Sequence, residues 1–221
     1  MEFAKAVAAE RESSGYPPSE WQAAGRWNDQ GEDFWRENGP VYAQNFITWF
    51  ESQEDVSVWI APDGRPAIEL DLTADFGGVP VRGIVDVVLA IGTANPALVV
   101  TDYKSGGTAP NSARQLAIGA SLVEAVYGIR PRYGAFFMAR KAPKALLPME
   151  MNRPEHSLAY LSGEFRFLDL AVEHEIYPAN PGDHCRRCPV AHACVETGGD
   201  KARLYDPNYP AHVANPRRTR L

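Results

Sequence analysis

Several features are missing from this sequence of 221 residues, and each absence excludes a class of protein. No stretch approaches the ~18 uninterrupted apolar residues of a membrane-spanning helix. Residues 1–15 lack the apolar core of a secretory signal. No GxxxxGK(S/T) loop occurs, so the sequence encodes no P-loop ATPase motor. We therefore expect a cytoplasmic protein that is not attached to a membrane.

Cysteine is scarce, and its placement is unusual. The chain has only three cysteines, Cys185, Cys188 and Cys194, and all of them lie in one short segment. An odd number of closely spaced cysteines does not form a disulfide framework. This usage favours a reducing compartment.

Positive charge is in deficit, because 22 basic residues face 28 acidic ones and the formal net charge is −6. Proteins that coat nucleic acid tend to be basic, so the balance weakly disfavours that class. The net charge is still compatible with an enzyme that has a local basic groove, since active-site carboxylates contribute to the acidic total. A hydrophobic content of 45% is ordinary for a globular protein.

The spacing of apolar residues changes along the chain. Residues 1–55 show helical spacing, with one helix beginning at Ser19 and another stretch at 41–50. From residue 56 the period becomes two, which indicates strands. The predicted strands cover residues 56–60, 66–76, 79–91, 97–104, 133–139 and 146–151, and later helices cover 110–127 and 154–176.

This order of elements predicts the fold class. Short connections between the first strands favour an antiparallel meander, and a helix followed by a returning strand favours a crossover. We therefore predict an α/β (α+β) protein with a mixed central sheet flanked by helices. Its regions are a helical part at 1–55 packed on the core, a core at 56–180, and a cysteine-bearing loop with a tail at 181–221, together one compact domain.

Charged residues interrupt the apolar face of one predicted strand. Alternation places Leu98, Val100, Asp102 and Lys104 on a single face of the strand at 97–104. Charges enter an apolar face rarely unless something there pairs with them or a metal binds. These two residues are therefore the leading candidates for a functional site.

The preceding strand carries a second carboxylate, Asp86, on the predicted face of Ile84 and Val88. Two carboxylates on adjacent strands repel each other unless a cation joins them, and oxygen ligands suit Mg²⁺ or Mn²⁺. Lys104 adds a positive charge that can position water or stabilise charge on a phosphate. Gln115, early in the following helix, is placed to hold the water or the lysine. The combination fits phosphodiester hydrolysis, whereas a D-x-K triplet alone is as often a surface ion pair.

Three segments, GIVDVV, VVTDYKSG and RQLAIGA, together resemble the PD-(D/E)XK nuclease superfamily, and in particular its RecB-like branch, over residues 69–140. The resemblance implies a restriction-endonuclease-like core, with Asp86 and Asp102 as metal ligands and Lys104 as the catalytic lysine. It further implies that Gln115 is the helix residue of the last motif. Glu69 corresponds to the acidic residue of the preceding strand, although alternation alone also fits a solvated carboxylate.

The sequence departs from the family pattern at two places. Gly119 stands where the Q-x-x-x-Y motif has its tyrosine, and Tyr127 or Tyr103 is a candidate replacement. The branch often has a metal-binding histidine in an early helix, whereas the first histidine here is His156. Tyr42 and Asn45 are the polar residues at the corresponding place.

The three cysteines form a C-x2-C-x5-C pattern, which is typical of metal ligation by thiolates. Iron–sulfur nucleases of the RecB-like kind share this pattern and add a fourth, upstream cysteine that is missing here. His184 or His192 is a candidate fourth ligand for a 4Fe-4S cluster or for zinc. The alternative is a set of thiols left from a lost cluster.

The resemblance implies a metal-dependent deoxyribonuclease, most simply an exonuclease on single-stranded or end-bearing DNA in recombination, repair or phage DNA processing. We expect such a nuclease either to act alone or to be the partner of a separate helicase or recombination protein. The alternatives are an endonuclease of the same superfamily and a catalytically silent DNA-binding or assembly module. Candidate DNA contacts are Arg140, Lys141 and Tyr127, with Arg186, Arg187 and the basic residues at 217–220.

Overall fold

The computed structural model describes residues 2–15, 32–141 and 146–176, together with Gly182, Cys185, Cys188, Ala191, Cys194 and Glu196. The predicted helix at Ser19 lies outside these residues. The chain divides into two compact units, Met1–Phe167 and Leu168–Leu221, and the three regions drawn from the sequence stay a prediction. Within the described part of the chain, no helix is long and apolar enough to cross a bilayer.

Helices and strands follow one another largely as the periodicity predicts. The helices are α1 (Glu2–Ser14), α2 (Glu32–Glu51), α3 (Arg114–Tyr127) and α4 (Leu158–Glu173), with a 3-10 turn at Pro154–His156. The strands are β1 (Val56–Val58), β2 (Ile68–Asp75), β3 (Pro80–Ile91), β4 (Ala97–Lys104), β5 (Tyr133–Met138) and β6 (Leu146–Glu150). Helix α3 begins at Arg114, four residues after the predicted start.

The six strands form one mixed sheet, which confirms the predicted fold class. The order is β1-β3-β4-β5-β6, and β2 also pairs with β3. Only the β4–β5 pair is parallel among the described strands, because α3 provides the crossover between them. Strand β3 is long enough to pair with β2 along its first part and with β1 at its end.

Helices cover both faces of this sheet. Helix α3 packs on one face, where Leu116 and Leu122 belong to the same buried cluster as Val85 and Val100 of the sheet. On the other face the side chain of Trp49 in α2 packs with a second apolar cluster. That cluster contains Val87, Leu89, Val99, Ala135, Phe137 and Ala139.

Gly119 lets α3 lie close to the sheet. A Cβ atom at this position would stand 3.1 Å from Val100 Cγ1 and 3.5 Å from Val85 Cγ2. The tyrosine of the family pattern therefore has no room here in the observed packing. Close packing of helix on sheet is the physical reason for the departure at this residue.

Alternation holds in β4 and fails in β3. Leu98 and Val100 belong to the α3 side and Val99 to the α2 side, as predicted. Val85 and Val88 both face α3 although they are three residues apart, and Ile84 is 58% exposed. The prediction that Asp86 shares one apolar face with Ile84 and Val88 was therefore wrong.

The break in alternation lies where β2 and β3 pass Asp86. Pairing joins Ile68 to Val87 and Leu70 to Val85, and Glu69 and Asp86 between them do not form a regular pair. Glu69 has a φ of 47°, in the left-handed region that is costly for a residue with a side chain. The facing of both strands reverses at this point without a change of register, and this is why simple alternation failed there.

One helical prediction also needs correction. Leu158, Leu161 and Phe165 of α4 pack against the core cluster as expected. Leu168 and Val172, which the periodicity assigned to the same buried face, are exposed.

Candidate active site

Three of the predicted site residues meet where β4 ends and α3 begins. Lys104 Nζ lies 2.6 Å from Asp102 Oδ2 and 3.0 Å from Gln115 Oε1. The Gln115 amide Nε2 in turn donates to Asp102 Oδ1. The arrangement arises because Asp102 and Lys104 share the α3-facing side of β4 and Gln115 is the second residue of α3. A carboxylate, an ammonium and an amide thus form a closed triangle at this edge of the sheet.

Asp102 is an uncommonly buried carboxylate. Its residue is only 6% exposed, and burial raises the pKa of the carboxyl group, an effect that the ion pair with Lys104 opposes. Its Oδ2 atom is buried and makes no hydrogen bond of regular geometry within the described part of the chain, although Lys104 Nζ is close. A buried acceptor of this kind retains capacity for a further positively charged partner.

Asp86 stands beside Asp102 because β3 and β4 part at this point. Their pairing ends at Val87 and Thr101. Directly beyond it, the backbone N–H of Tyr103 donates to Asp86 Oδ2 at 2.9 Å. The negative charge of Asp86 contributes to the raised pKa of Asp102. The separation of the strands therefore fixes two carboxylates close enough to repel each other.

The pair of carboxylates fits a hard divalent cation. The buried Oδ2 of Asp102 and the repulsion between Asp102 and Asp86 both favour an added positive charge. Among the described residues no group of three or more His, Cys, Asp or Glu side chains converges for metal binding. Two carboxylates are nevertheless sufficient for Mg²⁺, which commonly keeps several waters and takes further oxygens from a substrate phosphate.

Glu69 lies nearby but outside the triangle. It is exposed, and its charge together with that of Asp86 adds to the effect of burial in raising the pKa of the Tyr103 phenol. Tyr103 itself packs edge-on against Phe46, with ring centres 4.9 Å apart. Glu69 therefore acts on Tyr103, and among the described residues it does not join Asp86 and Asp102 in a three-carboxylate metal site.

The structure separates Tyr127 from the carboxylates. It lies at the end of α3, twelve residues after Gln115, which corresponds to roughly 18 Å of helix. Its hydroxyl donates to Asp63 and accepts from Arg65, both at 2.8 Å. Asp63, whose pKa is lowered to about 2 chiefly by its hydrogen bonds from Arg65, anchors this group. Tyr127 therefore does not take the place of the missing motif tyrosine.

Arg140 and Lys141 are exposed and follow β5 at the same edge of the sheet as Lys104. Tyr42 and Asn45, at the place of the family's early histidine, contact this segment. Asn45 Nδ2 donates to the carbonyl of Ala139 at 2.7 Å, and Arg140 donates to the Tyr42 hydroxyl. Sequence reasoning missed this contact, since only the absence of the histidine drew attention to α2.

The expected metal site at the cysteines is not supported. Cys185, Cys188 and Cys194 are not joined by disulfide bonds, and within the described part of the chain they are not gathered into a group able to hold a metal ion. The backbone N–H of Cys188 donates to the carbonyl of Cys185, and that of Cys194 donates to the carbonyl of Ala191. The cysteines therefore lie on successive backbone turns. The candidate fourth ligands His184 and His192 lie outside the described residues.

Comparisons with known proteins agree with the motifs. The family model of the PD-(D/E)XK nuclease superfamily matches residues 3–195. The Gene 69 protein of Mycobacterium phage D29 is 30% identical over 180 residues, which are 79% of this chain and 64% of that protein. The Gene 69 protein of Mycobacterium phage L5 is 27% identical over 169 residues, 75% of this chain and 55% of that one. The chain therefore spans less than two thirds of the length of these relatives.

Among solved structures, the crystal structure of SSO0001 is similar to this chain, and the match covers 87% of this chain and 80% of the SSO0001 chain. The sequence identity is 14% and the TM-score is 0.35, a likeness too low to bear on function.

Proposed function

Because the chain belongs to the PD-(D/E)XK nuclease superfamily, we propose that it hydrolyses DNA phosphodiester bonds with the help of Mg²⁺ or Mn²⁺. The observation that carries the proposal is the triangle of Asp102, Lys104 and Gln115 beside Asp86. A structural protein gains nothing from a buried carboxylate that faces a second one, because both lose hydration. Such an arrangement is typical of a site where charge is needed for chemistry.

Each residue has a distinct role in this proposal. Asp86 and Asp102 would hold the divalent cation, which when bound would polarise the phosphate and activate a water molecule. Lys104 stabilises the negative charge that develops on the phosphate oxygens and orients the attacking water. Gln115 fixes the direction of the Lys104 ammonium through its amide oxygen. This lowers the entropy cost of reaching a reactive geometry. Glu69 adds negative charge near Tyr103 and is assigned an accessory role.

We further propose an exonuclease of the RecB-like kind that acts on single-stranded or end-bearing DNA in the cytoplasm. The three motif segments support the branch, and the phage source of the two relatives is consistent with phage DNA processing or recombination. A separate helicase or recombination protein is the natural partner, since no phosphate-binding loop occurs in this sequence.

A digestion experiment tests the activity and its mode together. Single-stranded, linear duplex and closed circular DNA, with the linear substrates labelled at one end, are incubated with Mg²⁺, with Mn²⁺ or with EDTA. The proposal predicts metal-dependent loss of the linear and single-stranded substrates while the circular duplex stays intact. Cleavage of the circle indicates an endonuclease of the same superfamily. Stability of every substrate in all three conditions contradicts the proposed activity.

A further inference from the structure

The guanidinium group of Arg140 is held in one orientation by two aromatic side chains of α2. Its Cζ atom lies 5.5 Å from the ring centre of Phe34 and 5.6 Å from that of Tyr42, within cation–π range of both. The Nε atom also donates to the Tyr42 hydroxyl. Trp35 packs edge-on against both rings. We call Phe34 and Tyr42 the aromatic clamp.

The clamp stands next to the candidate active site. Met138, the last residue of β5, pairs with Lys104 in the sheet, and the backbone N–H of Ala139 donates to the Lys104 carbonyl at 2.9 Å. Arg140 is the following residue. Asn45 of α2 binds the Ala139 carbonyl and so ties this short segment to the helix. The arginine is therefore positioned by the same backbone contacts that position Lys104.

The free end of this arginine suits a phosphate. Nε is already engaged by Tyr42, whereas the two terminal nitrogens have no hydrogen-bond or ion-pair partner among the described residues. The residue is exposed. An immobilised guanidinium with two parallel donors free matches two oxygens of one phosphate and loses little side-chain entropy on binding. In a chain of net charge −6, such a built-in cation identifies a local site for a polyanion.

We propose that the aromatic clamp orients Arg140 to hold a backbone phosphate of the DNA strand close to the phosphate that is cleaved. This inference rests on the proposed function, because it names a contact for the same substrate. Arg140 acts as a phosphate-binding residue, and Tyr42 and Phe34 act as positioning residues through it. In this arrangement the bound DNA strand runs along the edge of the sheet, from Lys104 at the end of β4 toward the aromatic clamp on α2.

The test measures binding in EDTA, where no turnover occurs. Fluorescence anisotropy of a labelled single-stranded oligonucleotide is recorded over a range of salt concentrations for the wild type and for Arg140→Gln, Tyr42→Phe and Arg132→Gln. Arg132 is an exposed arginine at the opposite end of β5 and serves as the matched control. Thermal melting checks that all variants are folded.

Arg140→Gln is expected to weaken binding three- to tenfold and to reduce the slope of log affinity against log salt by about 0.7, the value for one phosphate contact on a single strand. Tyr42→Phe keeps the charge, so it should weaken binding about two- to fivefold with an unchanged slope. Arg132→Gln should behave as the wild type. In cleavage assays the Arg140→Gln effect should appear in KM with kcat nearly unchanged.

Two outcomes separate this inference from the proposed function. If the wild type cleaves DNA but Arg140→Gln binds with the wild-type affinity and salt slope, the clamp inference is wrong and the nuclease assignment stands. If the wild type fails to cleave any DNA with Mg²⁺ or Mn²⁺, the proposed function fails and the inference falls with it. A loss in Arg132→Gln equal to that in Arg140→Gln also overturns the inference, because the contact would then be diffuse surface charge.

Discussion

Lys104 Nζ lies 3.0 Å from Gln115 Oε1, so the last residue of β4 is joined to the second residue of α3. The same amide donates through Nε2 to Asp102. The Gln115 side chain therefore accepts a hydrogen bond from the Lys104 ammonium with its oxygen and donates one to the Asp102 carboxylate with its nitrogen. This fixes the orientation of the amide and makes it the connection between the two catalytic candidates.

Replacing Gln115 by methionine keeps the length of the side chain and removes both hydrogen bonds. We expect kcat to fall about 10- to 100-fold with KM little changed, because Lys104 loses its fixed direction while DNA contacts are unaffected. Steady-state cleavage of labelled linear DNA measures both constants. A rise in KM at constant kcat would indicate instead that Gln115 binds DNA directly.

Lys104 would compete with a divalent cation held by Asp102, because its ammonium group already lies against that carboxylate. Lys104 Nζ lies 2.6 Å from Asp102 Oδ2, so its positive charge opposes a second cation there. We expect Lys104→Ala to be inactive and yet to bind Mn²⁺ at least as tightly as the wild type, as measured by isothermal titration calorimetry. Asp102→Asn provides the opposite control and should bind Mn²⁺ more weakly. Loss of Mn²⁺ binding in Lys104→Ala contradicts this competition.

The buried carboxyl group of Asp102 makes stability depend on pH. Burial raises its pKa above the ordinary value of about 3.9, so the carboxyl group binds a proton more readily in the folded state than in the unfolded state. The stabilisation from this group is full below the unfolded pKa and is lost as the pH rises through the folded pKa. In EDTA, Asp102→Asn should therefore unfold at a higher urea concentration than the wild type at pH 7. The difference should shrink as the pH falls toward 4, and a less stable Asp102→Asn at pH 7 contradicts the raised pKa.

Gly119→Tyr restores the tyrosine of the family motif and should nevertheless damage this protein. A Cβ atom at the site would meet Val100 Cγ1 at 3.1 Å, and the ring has no space between α3 and the sheet. We expect the free energy of unfolding to drop by about 3 kcal/mol or more, as in overpacked cores. Urea unfolding measures the change.

Gly163→Ala is the control for this substitution, because a Cβ atom at Gly163 meets nothing within 4 Å. It should be neutral or stabilising by up to about 1 kcal/mol, since alanine favours helix more than glycine. A Gly119→Tyr protein as stable as the wild type would show that α3 can move away from the sheet.

Much of the fold and the centre of the site could be predicted from residues that act locally. In β4 the alternation that put Asp102 and Lys104 on the face of Val100 is correct, because the strand is regular and stays paired with β5 to its last residue. A helix that follows such a strand through a short connection must return to the sheet. The proximity of Gln115 to both residues follows from that geometry.

Other features depend on contacts that no local pattern contains. The position of Asp86 depends on where β3 separates from β4 and on the irregular pairing of β3 with β2 beside it, and neither is visible in the alternation of one strand. The clamp on Arg140 joins residues about a hundred positions apart. Pattern reasoning gave Arg140 as one of several basic candidates and could not distinguish it from the others.

The proposed active site is tested most directly by the cleavage of end-labelled linear DNA with Mn²⁺ by Asp102→Ala and Lys104→Ala, with Asp71→Ala as the control. Asp71 is an exposed carboxylate of β2 that accepts a hydrogen bond from Arg82 and is not a member of the triangle. We expect a loss of at least about 100-fold in both triangle variants, with folded far-UV spectra, and wild-type activity in the control. Undiminished cleavage by either triangle variant would show that this edge of the sheet is not the active site.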